Sequence, residues 1–243
     1  MKLPGIEDCR LCPLWKTRTH VILGEGSLSS EIFLIAQAPG EEEDAADKMF
    51  VGPSGKIFWE LLDQAGADKA NLYISNLLKC RLPQNRRPKQ AEILSCSLYL
   101  ERELAEIRPR IVAPLGYFAT KYIFESRQLG LFTKAEYPSL IGRAFVGKDF
   151  TVMPLSHPSS LIHHPEFWSG AVKKYRRVFQ LEPCKWFSCC PMRAFTLNRA
   201  IPFRWTDEYC LGNWQNCQRY ELESRGIPHS DNLLPDGSRL KDH

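Results

Sequence analysis

Four short apolar runs set the limits on this chain: "EIFLIAQA", "NLYISNLL", "RIVAPLG" and "FTVMPLS". Each is rich in branched side chains and reads as a nearly continuous apolar stretch, the pattern of a strand covered on both faces. Between them lie "SGKIFWELLDQAGA", "KQAEILSCSLYLERELAEI" and "GYFATKYIF", and "EFWSGAVKKYRRVFQL" follows the last. Apolar residues recur there every three or four positions, as on a helix with one buried face. This alternation predicts an α/β fold, a three-layer α/β/α sandwich with a central four-stranded parallel sheet.

The polar residues that end the runs are the informative part. Gln37-Ala38-Pro39-Gly40 follows the first run, Asn76 and Lys79-Cys80 close the second, Leu115-Gly116 the third and Ser156-His157-Pro158 the fourth. Ligands of open parallel sheets bind at the carboxyl ends of the strands. Gln37, Asn76 and His157 are therefore expected to converge on one crevice. Glu41-Glu42-Glu43-Asp44 comes next. Acids crowded there could be metal ligands, general bases or the first turn of a helix. We read most of the run as a first turn, where the helix dipole favours carboxylates.

A chain of 243 residues with 44% hydrophobic and 25% charged residues can fill one large domain, or a medium domain with an appendage. After Leu181 periodicity fades while Trp, Cys and Pro accumulate. We divide the chain at that point, into residues 1–181 and a small Cys-rich C-terminal module, residues 182–243, too short to hold a core unaided. No apolar run approaches the roughly 20 residues that span a bilayer. The start, "MKLPGIEDCRLC", has no apolar signal region. These features predict a cytoplasmic protein with no membrane partner, read as a monomer. The net charge of +4 permits nucleic-acid binding without demanding it.

Nine cysteines are too many to serve only as small core residues in a reducing compartment. Cys9 and Cys12 form a CxxC pair, and Cys80 and Cys96 supply two further thiols. Zinc and iron–sulfur clusters both accept four thiolates, so spacing does not choose between them. In the tail, Cys184, Cys190, Cys210 and Cys217 read as a second site for zinc or an iron–sulfur cluster, with Cys189 as the substitute ligand.

The first four cysteines are woven around "QAPGEEED", "FVGPSG", "SNLLKCRLPQNRRP" and "SHPSSL". In this the chain resembles the family-four uracil-DNA glycosylases over residues 5 to 180, with every motif in order. The resemblance implies a [4Fe–4S] cluster on Cys9, Cys12, Cys80 and Cys96, pinning the N-terminal segment beside DNA. It implies a DNA-repair hydrolase that flips uracil out of DNA and hydrolyses its N-glycosidic bond, leaving an abasic site.

An enzyme acting on a flipped base needs a flat apolar surface, a reader of the base edge and help for the leaving group. Phe50 is the stacking face, a contact worth roughly 1–3 kcal/mol per base. Asn76 accepts from uracil N3–H and donates to O4, a pattern that cytosine reverses. His157 matches the family's HP(S/A) motif and donates to uracil O2 as negative charge develops. Ala38, Pro39 and Gly40 shape the pocket floor, and Leu161 is the apolar wedge that fills the vacated stack. Arg81, Arg86, Arg87 and Lys89, in the loop "RLPQNRRPKQ", are expected to grip phosphates, with Lys79 a further basic residue flanking it. Lys173, Lys174, Arg176 and Arg177 read equally as a solvated helix face. His163 and His164 read as surface or satisfied core residues. The basic loop carries no histidine, against covalent trapping of DNA, and no lysine stands as a Schiff-base nucleophile.

Gln37 departs from the resemblance. The family pattern has a Gly-Glu pair where this chain has Ala36-Gln37. A neutral amide can position the attacking water but is a very poor base. Two alternatives follow: a related glycosylase shifted toward hypoxanthine or xanthine, or a non-catalytic protein that binds uracil-containing DNA.

Overall fold

The computed structural model describes residues 4–240, so the ends of both predicted segments, residues 1–3 and 241–243, lie outside the described residues. The fold is mixed α/β around one sheet. Its strands are β1 (Glu25–Gly26), β2 (Ile32–Ala36), β3 (Leu72–Asn76), β4 (Ile111–Pro114), β5 (Phe145–Val146) and β6 (Thr151–Val152), in the order β1-β3-β2-β4-β6-β5. The pairs β3–β2, β2–β4 and β4–β6 are parallel, while β1 and β5 add antiparallel edges. The sheet thus has six strands, not four. The two extra strands are two residues long, too short to leave a periodic signal in the sequence. The run "FTVMPLS" pairs regularly only over Thr151–Val152 and resumes as a single bridge from Leu155 to Leu115. Pro154, between them, has no N–H to give a ladder.

The helices used below are α1 (Glu41–Ala46), α2 (Pro53–Ala65), α3 (Gln90–Ile107), α4 (Tyr117–Ser126), α5 (Tyr137–Leu140), α6 (Ser159–His163), α7 (Trp168–Phe179), α8 (Pro191–Leu197) and α9 (Gln218–Ser224). Successive residues of β2 face opposite ways. Leu34 and Ala36 join a core with Phe58, Leu61 and Leu62 of α2 and Val172 and Tyr175 of α7. Phe33 and Ile35 join another with Leu100 and Leu104 of α3 and Ile123 of α4. Helices therefore cover both faces, which is why the runs read as continuous apolar stretches. Pro53 opens α2 and Gly66 caps it in the left-handed conformation.

One polar group is buried under this sheet. Lys79 Nζ lies 2.5 Å from Glu103 Oε2, and Ser75 Oγ joins both. Lys79 is 1% exposed and Glu103 is fully buried. Lys79, which flanks the basic loop in sequence, is thus withdrawn from any phosphate.

Residues 182–240 pack on the β5 and α7 side. Asp207 accepts from the Ala144 N–H at 2.7 Å and from Arg177 Nη2 at 2.8 Å. Phe203 lies against Phe145, and Leu211 enters the α2/α7 core. Arg177 is accordingly a fastening group and not a solvated one. No helix among the described residues is long and apolar enough to cross a membrane.

Removing one member of a buried ion pair leaves the other unpaired, at a cost of about 3–5 kcal/mol. Lys79→Met is expected to lose that much in denaturant unfolding. The double change Lys79→Met/Glu103→Leu should recover most of it.

Candidate active site at the carboxyl edge of the sheet

The loops after β2, β3, β4 and β6 surround one open cavity of about 690 Å³. Gln37, Ala38, Pro39, Gly40, Phe50, Asn76 and His157 all line it. The parallel register explains the convergence: Ala36 pairs with Asn76, and Ile35 with Pro114, so the chain ends level in three adjacent strands. Leu77 and Leu78 then donate N–H to the carbonyls of Ala36 and Gln37, holding the two loops together.

His157 is positioned on all sides. Tyr175 donates its hydroxyl to the Ser156 carbonyl at 2.9 Å, and Tyr137 to that of Leu155 at 2.8 Å. Gly116 has φ +87, and a Cβ there would stand 3.2 Å from His157 Cβ, so glycine suits this position on both counts. The Ser159 N–H donates to His157 Nδ1 at 3.2 Å, with the Ser159 hydroxyl 2.8 Å away. A backbone N–H can only donate, so Nδ1 is the acceptor and a neutral ring carries its proton on Nε2. Desolvation holds the His157 pKa down at about 4, opposed only in part by the negative charge of Glu43. At neutral pH the ring is therefore an uncharged Nε2–H donor.

Asn76 is 2% exposed, and its Nδ2 donates to Met49 Sδ at 3.0 Å. A thioether is a weak acceptor, and the amide keeps a second N–H. Its Oδ1 has no protein partner among the described residues. Phe50 stacks on Phe58 with ring centroids 3.9 Å apart and planes 12° from parallel. Gly55 makes this possible, since a Cβ there would lie 2.0 Å from the Phe50 carbonyl oxygen. The Gln37 side chain makes no hydrogen bond to protein among the described residues.

The acid run divides its duties. Glu43 Oε2 accepts from the Gly40 N–H at 3.0 Å and Oε1 from the Gly52 N–H at 2.8 Å. One carboxylate thus joins the floor loop to the loop carrying Phe50, and it lines the cavity. Asp44 is buried and accepts the N–H groups of Thr19 and His20, tying the N-terminal segment to α1. Glu41 pairs with Arg81 at 3.0 Å. The sequence signal for Glu43 was its place three residues after Gly40, where a first-turn glutamate reaches back to the cap. Tyr117, Ser159 and His163 also line the cavity and had been passed over or read as structural.

Two other expectations shift. Leu161 is 5% exposed and sits in the α2/α7 core, because α6 turns that face inward; the exposed apolar side chain of α6 is Ile162. In the basic loop, Arg86 is bound to Glu92 through both nitrogens, at 2.9 and 2.5 Å, and Arg81 is paired with Glu41. Arg87 and Lys89 are exposed and make no ion pair among the described residues.

Cys9, Cys12, Cys80 and Cys96 line a second, smaller cavity beside that loop. Arg18 Nη1 donates to Cys80 Sγ and the Lys79 N–H to Cys96 Sγ, both at 3.3 Å. Burial raises the pKa of Cys12 and Cys80 and pushes Cys96 up to about 12, so bare thiols there are protonated. A coordinated metal reverses that.

A profile of the Uracil DNA glycosylase superfamily matches residues 23–180. The chain belongs to this superfamily. It is 35% identical over 178 residues to a type-4 uracil-DNA glycosylase of Saccharolobus solfataricus, covering 71% of this chain and 81% of the relative. A type-4 enzyme of Sulfurisphaera tokodaii is 34% identical over 224 residues, 89% of this chain and 94% of its own length. Another, of Archaeoglobus fulgidus, is 34% identical over 177 residues, 72% and 89% respectively. The superfamily match spans every loop that lines the cavity at the carboxyl edge of the sheet.

Two outcomes follow from this geometry. Between its unfolded pKa near 6.5 and its folded value of about 4, His157 binds more protons unfolded than folded. Its contribution to folding stability should be complete above about pH 6.5 and fall as pH drops toward 4; a His157→Asn chain should lack that component in pH-dependent unfolding. Glu43→Ala should cost roughly 1.5–3 kcal/mol in thermal or denaturant unfolding, since it strands two N–H groups.

Proposed function

We propose that this chain excises uracil from DNA as a monofunctional glycosylase, hydrolysing the N-glycosidic bond and leaving an abasic site. The observation that carries the reading is the convergence of Asn76 and a neutral His157 on one cavity within the superfamily match. In this reading the flipped uracil lies against Phe50. Asn76 Oδ1 accepts from N3–H while its second N–H donates to O4, and cytosine would place two mismatched groups there. His157 Nε2–H donates to O2. As the C1′–N1 bond breaks, its electron pair moves onto the base, and that hydrogen bond strengthens as charge builds at O2. A neutral donor is suited to this, because it need not be deprotonated afterwards.

Gln37 orients the water that adds to C1′, and the proton this water loses passes to the departing uracil anion. Its amide brings no charge, and we assign the fixed negative charge of the pocket wall to Glu43, which stabilises the cationic sugar. Arg87 and Lys89 take the phosphates, and Ile162 replaces Leu161 as the apolar group able to enter the stack. The four parallel strands β3, β2, β4 and β6 serve as the platform for these loops. Cys9, Cys12, Cys80 and Cys96 would hold a [4Fe–4S] cluster, for which the donor set fits: four thiols in one cavity with N–H donors aimed at two sulfurs. When bound, the cluster supplies a rigid cross-link between the N-terminal segment, the β3 loop and α3. All pocket residues come from one chain, so the reading needs no second copy, and a DNA-repair role inside the cell follows from the substrate. The relatives favour uracil over hypoxanthine or xanthine, and they favour turnover over binding alone.

The test is base release from an oligonucleotide carrying one deoxyuridine, developed with alkali. Wild type should give alkali-dependent cleavage, and His157→Ala should lose roughly 10²–10³-fold in single-turnover rate. Gln37→Ala should be clearly slower. Glu43→Gln, which keeps a hydrogen-bonding group but not the charge, should be slower still. Binding without base release would refute the reading, and an unchanged rate for Gln37→Ala would remove its role.

A further inference from the structure

The largest store of unused chemistry lies in the C-terminal segment, beyond the superfamily match. Cys184, Cys190, Cys210 and Cys217 line one cavity of about 350 Å³. They reach it from separate turns. The Cys184 N–H donates to the Cys210 carbonyl at 2.8 Å, Cys190 precedes α8, and Cys217 precedes α9. Cys189 also lines the cavity, but it is exposed and its thiol donates to the Trp186 carbonyl.

Three observations set these thiols apart from ordinary core cysteines. First, cores pack to the density of organic crystals with few voids larger than a water molecule. Here the thiols instead line a pocket of about 350 Å³ open to the surface, beside a small core that includes Met192, Ile201, Cys210 and Leu234. Second, Arg219 is 4% exposed and lines the same cavity. Its Nη1 donates to the carbonyls of Ser230, Asp231 and Leu233, while its Nε is buried with no partner. The nearest carboxylate, Asp231, is 3.9 Å from Nη2 and 80% exposed, so the buried cation lacks a close counter-charge. Third, the four cysteines come from separate turns of the chain yet line one cavity, with Cys184 tied to Cys210 through a backbone hydrogen bond. A buried cation beside four thiols suits thiolates and an anionic centre.

The spacing chooses the kind of centre. The four cysteines line a space of about 350 Å³ and not a point-like site. Zinc–sulfur bonds of about 2.3 Å would bring four sulfurs together around a point. The thiolates of a four-iron cluster each bind a different iron and surround a volume instead. We propose that Cys184, Cys190, Cys210 and Cys217 hold a second [4Fe–4S] cluster, with Arg219 offsetting its charge, which staples residues 182–240 into a small module.

Iron, acid-labile sulfide and zinc are counted on the anaerobically purified full-length chain. The expected content is about eight irons and eight sulfides per chain without stoichiometric zinc. Cys210→Ser and Cys96→Ser should each retain about four irons, and Cys189→Ser about eight. Arg219→Gln should keep the iron and lower one cluster's reduction potential, because a neighbouring positive charge is lost. About four irons in the wild type, all retained by Cys210→Ser, would overturn the proposal. So would one zinc lost in Cys210→Ser with iron unchanged. If Cys210→Ser does not fold, the wild-type count decides alone. Failure of uracil release with about eight irons present would remove the proposed activity and leave this inference standing.

Discussion

A strand buried on both faces can carry almost no unsatisfied polar group along its length, and this constraint organises the molecule. β2, β3 and β4 donate and accept within the ladder and present apolar side chains above and below. Chemistry is thereby displaced to the strand ends. Because the strands are parallel and in level register, their carboxyl ends meet on one edge, and Gln37, Asn76 and His157 share a cavity though they are far apart in sequence.

Several carboxylates at or below the surface of the fold do fastening work. Glu103 takes the charge of Lys79 and the hydroxyl of Ser75 beneath the sheet. Glu43 ties two pocket loops through Gly40 and Gly52, Asp44 ties the N-terminal segment, and Asp207 ties the C-terminal one. Each carboxylate collects N–H or cationic partners from segments remote in sequence, and each is satisfied where an unpaired charge would be costly. The loops around the cavity are tied to one another for this reason. Its open groups, Asn76 Oδ1 and the Gln37 amide, are the ones left for a ligand.

Electrostatics separates the two faces of the site. Within the pocket, desolvation keeps His157 neutral, so it can stabilise charge without carrying it. Outside, Arg87 and Lys89 make no ion pair among the described residues, on a loop whose other arginines are held by Glu41 and Glu92. Those two acids thus select which cations face outward.

Much of this was legible in the sequence. Continuous apolar runs and helical periodicity identified the α/β alternation, because burial on two faces or one leaves a direct imprint on residue type. The strand-end motifs located Gln37, Asn76 and His157, because parallel sheets place such residues together whatever the loops between them. The grouping of the cysteines into N-terminal and C-terminal sets was visible too. Pairing geometry decided the rest. The two-residue edge strands depend on neighbours and have no period of their own. Leu161 and Ile162 are both apolar, and only the docking of α6 determines which one is buried. Arg86, Arg87, Lys79 and Lys89 are alike as letters. Which of them is free for a partner depends on where Glu92 and Glu103 lie, and a contact between residues distant in sequence leaves no trace in local composition.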